Sequence, residues 1–151
     1  MKLALKYGLS ITICVMAWVI IAHTLVPDPQ SNVHRLGATV FFNLVHFVGI
    51  FLGIRALERQ QGQKPTFKEG LKLGVAISAV YAVTVSLFFI GVLFVVGTRW
   101  IQGNPAMQVL PKWLLALQAF IGLCAFAMIL GLVYSTLLSF ALARRGMSGS
   151  H

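Results

Sequence analysis

Four apolar stretches dominate the chain: Tyr7 to Val26, Leu36 to Leu57, Lys72 to Gly97 and Trp113 to Ala143. Each reaches or exceeds the ~20 residues that a helix needs to cross a hydrocarbon core about 30 Å thick. Backbone exposed to lipid must satisfy its own hydrogen bonds, so each stretch is expected to be a membrane-spanning α-helix. The expected fold class is all-α: a polytopic four-transmembrane-helix bundle forming one membrane domain over residues 1–151. Composition points the same way, since 58% of residues are hydrophobic and 10% charged, against about 25% charged in soluble domains.

A formal charge of +9 raises nucleic acid as a partner, but the basic residues sort by membrane side and form no soluble face. Lys2 and Lys6 precede the first span; Arg55, Arg59, Lys64, Lys68 and Lys72 surround the connection between the second and third; Arg144 and Arg145 follow the fourth. Only Arg35, Arg99 and Lys112 fall on the other side. The positive-inside rule then places both termini and the middle loop, about residues 58–71, in the cytoplasm. The N-terminus also has the charge and apolar run of a signal peptide, but that run is long and the sequence around Ala22-His23 is a poor cleavage site, so the first helix is expected to stay.

The loops are short. Pro27, Asp28, Pro29 and Asn32 make a turn-forming hairpin connection. In the middle loop Thr66 and Glu69 have the spacing of a capping box, which would start the third helix at the membrane surface. Trp100 and Trp113 read as interfacial anchors. Cys14 and Cys124 sit at depths ~16 Å apart by helical rise, too far for a disulfide. The terminal Ser-Gly-Ser-His carries no function in this reading. Lys6-Tyr7-Gly8-Leu9 is echoed by Lys68-Glu69-Gly70-Leu71, and Ala56-Leu57-Glu58-Arg59 by Ala141-Leu142-Ala143-Arg144. The echoes suggest two parallel-related helical hairpins about an axis along the membrane normal.

Inside the spans, small residues recur every fourth position. Gly70, Gly74, Ser78, Ala82 and Ser86 mark the third helix, Ala127, Gly131, Ser135, Ser139 and Ala143 the fourth, and Gly49 and Gly53 the second. Such ridges let helix backbones approach closely, within one chain or between copies. On the second helix Thr39, Asn43, His46, Gly49 and Gly53 share a face that should look inward. Helical rise puts His46, Tyr81 and Tyr134 at similar depth. Asn43, His46, Tyr81 and Tyr134 are therefore a candidate intramembrane polar site, either for a ligand or proton or as a neutral histidine satisfied by a tyrosine hydroxyl or by Asn43. Haem ligation would require a second histidine, and His23 and His34 lie at the wrong level.

The carboxylates Asp28, Glu58 and Glu69 all fall in loops or at helix ends, which argues against proton-coupled export through a membrane carboxylate. HExxH, P-loop and GxSxG patterns are absent from the sequence. The expectation is no enzyme, no metal and no cofactor. The basic middle loop suits anionic lipid headgroups, at about 1 kcal/mol per cation near the surface, or an acidic cytoplasmic partner.

The stretch Gly53-Ile-Arg-Ala-Leu-Glu-Arg-Gln-Gln-Gly62 and then Thr66-Phe-Lys-Glu-Gly-Leu-Lys-Leu-Gly74 resembles a bacterial family of four-helix inner-membrane proteins classed as a domain of unknown function. Lys6-Tyr7-Gly8-Leu9 and the basic ending after the fourth span take part in the resemblance, whose specific portion covers about a quarter of the chain. Members often carry a longer charged segment between the third and fourth helices, where this chain has only the short stretch from Trp100 to Lys112. The resemblance implies a bacterial inner-membrane setting and brings no active-site residue.

The functional expectation is a non-catalytic integral membrane protein, an accessory subunit or self-associating bundle, with the bilayer, another membrane protein or a second copy as partner. The alternatives are a small transporter or channel whose path passes Asn43, His46, Tyr81 and Tyr134, and a haem- or ligand-binding protein.

Overall fold

A computed structural model describes residues 1–25, 32–96 and 111–147, with the side chains of residues 23, 32–35, 96 and 143–147 outside that description. Four helices make up the described chain: α1 (Lys2–Leu25), α2 (Asn32–Gln61), α3 (Phe67–Val96) and α4 (Lys112–Met147). Each contains a stretch long and apolar enough to span a membrane: Lys2–Ala22, Leu36–Gln61, Phe67–Val95 and Lys112–Leu142. The protein is an all-helical, multi-pass membrane protein in contact with a lipid bilayer.

Most helix ends run beyond the apolar stretches. α1 begins at Lys2 rather than Tyr7, and the polar connection expected over 58–71 shrinks to 62–66, because helical hydrogen bonding continues through Glu58-Arg-Gln-Gln61 and Phe67-Lys-Glu-Gly70. Hydropathy marks where lipid begins and says little about where a helix stops. Local chemistry sets the actual ends. Gly62 has φ +66°, the left-handed conformation that closes helices and that glycine adopts without a Cβ penalty. Thr66 then caps α3: its backbone N–H donates to Glu69 Oε2 at 2.8 Å, and the Glu69 N–H returns to Thr66 Oγ1 at 3.4 Å.

α3 is the hub. It packs most extensively on α4 and next on α1, while α2 touches all three other helices and meets α4 least. α1 and α4 therefore sit at opposite corners of the bundle. The core between them comprises Ile11 and Val15 of α1, Ile50 and Ile54 of α2, and Ile77 of α3, all 0–2% exposed. On the outer faces Leu44, Leu52, Leu87, Ile121, Ile129 and Leu137 lie exposed, as lipid-facing side chains should, since hydrocarbon is as good a solvent for leucine as another helix is.

The two small-residue ridges face each other across the α3–α4 contact. A Cβ built on Gly70 would lie 2.6 Å from Ser139 Oγ, one on Gly74 would collide with Ser135, and one on Gly131 would collide with Ser78. By the same antiparallel register the buried Ala82 and Ala127 form the next step. Ser86 Oγ then meets Cys124 Sγ at 3.4 Å. Glycine opposite serine repeats because the Ser hydroxyl needs the room that the missing Cβ leaves. The hydroxyl costs nothing unsatisfied at the two inner steps: Ser78 donates to the Gly74 carbonyl at 3.0 Å and Ser135 to the Gly131 carbonyl at 2.5 Å. Ser139 Oγ, by contrast, is buried without a hydrogen-bond partner among the described residues. The side chain of Ala143, the last position of the α4 ridge, lies outside the described residues.

The α2 glycines serve a different contact. Gly49 makes room for Ile11 of α1, and Gly53 for Ile77 of α3 with Tyr7 of α1 nearby. α1 approaches α3 at Gly8, whose Cβ would fall 2.7 Å from Val80 Cβ. One turn further on, the Thr12 and Thr84 hydroxyls meet at 2.5 Å.

Candidate functional site

His46 projects from the middle of α2 into the α2–α3–α4 junction and is 2% exposed. The helix seats it there because Gly49 and Gly53, one and two turns along the same face, pull α2 inward against α1 and α3. Its Nε2 lies 3.0 Å from Ser78 Oγ. Ser78 Oγ is also 3.0 Å from the Gly74 carbonyl; when its one proton goes there, the serine oxygen accepts from Nε2. The sequence-based expectation gave this role to a tyrosine hydroxyl or Asn43; the partner is instead a serine from the packing ridge.

The tyrosines have other tasks. The Tyr134 hydroxyl on α4 donates to Asn43 Oδ1 at 2.7 Å, and Asn43 Nδ2 donates back to the Thr39 carbonyl at 2.7 Å. Tyr81 and Tyr134 rings flank the imidazole, with centroids 4.8 and 5.6 Å from it. The four candidate residues Asn43, His46, Tyr81 and Tyr134 thus converge at one level: His46 in one hydrogen-bonded chain, Asn43 and Tyr134 in another, and Tyr81 through its ring contact with His46 alone. Thr39, expected on the inward face, is exposed: at that end of α2 the face has rotated past the bundle contact. Ser78 was missed as a site residue because its four-residue periodicity reads completely as packing. Its place three residues before Tyr81, on the same face and at the depth of His46, was the available signal.

Beside this network lies a cavity of about 130 Å³, lined by Asn43, His46, Tyr81, Val85, Leu123 and Phe126 among others. Its walls are mainly apolar. Phe126, one of its lining residues, is 59% exposed, so the cavity borders the outer face of the bundle.

At the end of the bundle carrying the α2–α3 connection, a larger groove of about 470 Å³ runs between α1 and α3, with Met1, Leu5, Gln61, Glu69 and Lys72 around it. Arg55, Glu58 and Lys64 line a smaller one of about 120 Å³. Arg55 pairs with Glu58 at 3.4 Å and lies over the Phe51 ring, 5.6 Å from its centroid. Arg59, Lys68 and Lys72 are exposed. The Arg144 and Arg145 side chains lie outside the described residues, as do those of His23 and His34 that bear on haem ligation, and Asp28 and Trp100. Among the described residues no three His, Cys, Asp or Glu side chains come together as a metal site. Cys14 and Cys124 are both free thiols.

Comparison of the chain with protein families, with curated proteins and with solved structures finds no match.

Proposed function

We propose that this is a non-catalytic membrane protein that works through its helix and loop surfaces, as an accessory subunit or a self-associating bundle. One observation carries the reading: most of the polar groups that the spans bury satisfy each other. His46 is held by Ser78 and Ser78 by Gly74; Tyr134 is held by Asn43, and Thr12 meets Thr84. The described carboxylates, Glu58 and Glu69, stand at helix ends, where Glu69 serves as a cap. Interior groups engaged in this way stabilise a bundle and leave little for bond-making chemistry.

The same proposal places the protein in a bacterial inner membrane with both termini cytoplasmic. The support is the clustering of Arg55, Arg59, Lys64, Lys68 and Lys72 around the α2–α3 connection, on the side of Lys2, Lys6, Arg144 and Arg145. These cations suit anionic headgroups at that surface. The sequence echoes between the α1–α2 and α3–α4 hairpins support a parallel relation between them, and the resemblance to the four-helix family of unknown function belongs to this proposal too.

A second reading, binding of a small ligand within the bundle, is favoured by the cavity beside His46. Its apolar lining suits a lipid-soluble molecule better than a polar transport path.

Native mass spectrometry of the protein extracted from its own membrane in mild detergent tests the first reading. A defined complex with another protein, or a defined homo-oligomer, is the expected result. A bare monomer that sheds every protein partner under the gentlest conditions would refute it.

A further inference from the structure

The polar groups that border the cavity are not all engaged. The Tyr81 hydroxyl accepts and donates no hydrogen bond among the described residues, although Tyr81 is only 7% exposed, and its side chain lines the cavity. Asn43 lines it too, with one amide N–H beyond the one given to Thr39. The His46 ring lines it as well, held at Nε2 by Ser78. An unpaired hydroxyl in the middle of a membrane span is costly, since hydrocarbon offers no partner. A ligand oxygen would remove that cost.

Size and access narrow the ligand. A cavity of about 130 Å³ is close to the ~150 Å³ that holds one benzene ring, so a single six-membered ring is the size that fills it. The remaining walls, Phe42, Val85, Phe89, Leu123 and Leu130, are apolar and suit a flat uncharged ring. The cavity wall at the exposed Phe126 borders the lipid-facing side of the bundle. A molecule carrying an alkyl or isoprenoid tail could insert its ring there and leave the tail in the bilayer.

We propose that this cavity binds the ring of a membrane-dissolved benzoquinone or its quinol, with the Tyr81 hydroxyl and the spare Asn43 N–H donating to a ring oxygen. The proposal rests on the ligand-binding reading above. It assigns no electron transfer to the protein. An oxygen-bearing ring is specified because donors dominate the unpaired groups, and a benzoquinone over a naphthoquinone because of the volume.

The test uses the full chain in mild detergent, titrated calorimetrically with a benzoquinone bearing a ten-carbon alkyl tail. Decylbenzene serves as the oxygen-free control and a tailed naphthoquinone as the two-ring control. Two variants are compared with the wild type: Tyr81→Phe, which deletes only the hydroxyl, and Leu123→Trp, which fills the cavity from a half-buried wall position. Helicity and elution volume establish that each is folded. Saturable benzoquinone binding is expected in the wild type, about three- to tenfold weaker in Tyr81→Phe and abolished in Leu123→Trp, with neither control binding comparably. The proposal falls if the wild type shows no saturable binding, if both folded variants bind as the wild type does, or if either control binds equally well. Such a failure leaves the bundle reading standing, because native mass spectrometry of protein partners tests that separately.

Discussion

His46 Nε2 on α2 shares a hydrogen bond with the hydroxyl of Ser78 on α3 at 3.0 Å, and the same hydroxyl lies 3.0 Å from the Gly74 carbonyl one turn back. Ser78 also fills the space left by Gly131 on α4. One serine therefore ties three helices together: by a hydrogen bond to α2, by a bond within α3, and by close packing against α4. Removing the hydroxyl and removing the imidazole should have unequal effects. Ser78→Ala keeps the ridge narrow and loses interhelical hydrogen bonding worth about 0.6 kcal/mol. His46→Ala also leaves a void and should cost ~2–4 kcal/mol by analogy with large-to-small core changes. The coupling between them, measured as a double-mutant cycle by equilibrium unfolding in mixed micelles, should be about 0.6 kcal/mol. A coupling indistinguishable from zero would show that the 3.0 Å contact contributes nothing.

The α3–α4 ridges yield a sharper contrast. Gly131→Ala puts a Cβ into Ser78, whereas a Cβ on Gly91 or Gly122 meets nothing within 4 Å. Alanine is the better helix former by ~1 kcal/mol, so Gly91→Ala and Gly122→Ala should be neutral or slightly stabilising. Gly131→Ala should lower the melting temperature measurably, as should Gly74→Ala through its clash with Ser135. Thermal melts of the four variants side by side check this. Equal behaviour of Gly131 and Gly91 would mean that the ridge is not where the two helices touch.

The four-residue spacing of both ridges was legible in the sequence, because the period of a close helix contact is a property of one chain segment. Which ridge faces which was not. Period alone fits Gly74 against Ser135 as well as it fits a second copy of the protein, and only the antiparallel register of α3 on α4 selects the partner. The convergence of His46, Tyr81 and Tyr134 was likewise readable from helical rise, since depth follows from residue count. The pairing inside that layer depends on helix rotation, which hydropathy leaves nearly unconstrained in a chain that is apolar on every side. Hence Ser78 took the place expected for a tyrosine or Asn43, and Thr39 turned outward.

The Tyr134 hydroxyl and Asn43 join α4 to α2, the least extensive of the contacts that α2 makes. Tyr134→Phe removes this bond and keeps the ring contacts with His46 and Phe47. The expected loss of stability is small, ~0.6 kcal/mol. The local consequence is larger: the gap between α2 and α4 should open more often. A cysteine at the exposed Phe126, in a background lacking Cys14 and Cys124, reports this through its thiol-labelling rate by a lipid-soluble maleimide. That rate should rise in Tyr134→Phe. An unchanged rate would show that the hydrogen bond does not hold the two helices together.

The turn between α2 and α3 is governed by three residues, Gly62, Thr66 and Glu69, whose chemistry is independent of lipid. Gly62 holds φ +66°, and any L-residue with a Cβ pays about 1–2 kcal/mol to sit there. Thr66 and Glu69 bind each other's backbone N–H groups, and replacing the Thr cap with alanine should cost ~1 kcal/mol. Gly62→Ala and Thr66→Ala are therefore each expected to destabilise the bundle by about 1 kcal/mol, read by equilibrium unfolding. Thr66→Ser, which keeps the hydroxyl, should restore most of the loss. Hydrogen exchange localises the effect: the first-turn amides of α3 should exchange faster in Thr66→Ala while the buried amides around Ile77 stay protected. If Thr66→Ser behaved like Thr66→Ala, the hydroxyl would not be the capping group, and the start of α3 would be set by the apolar run alone.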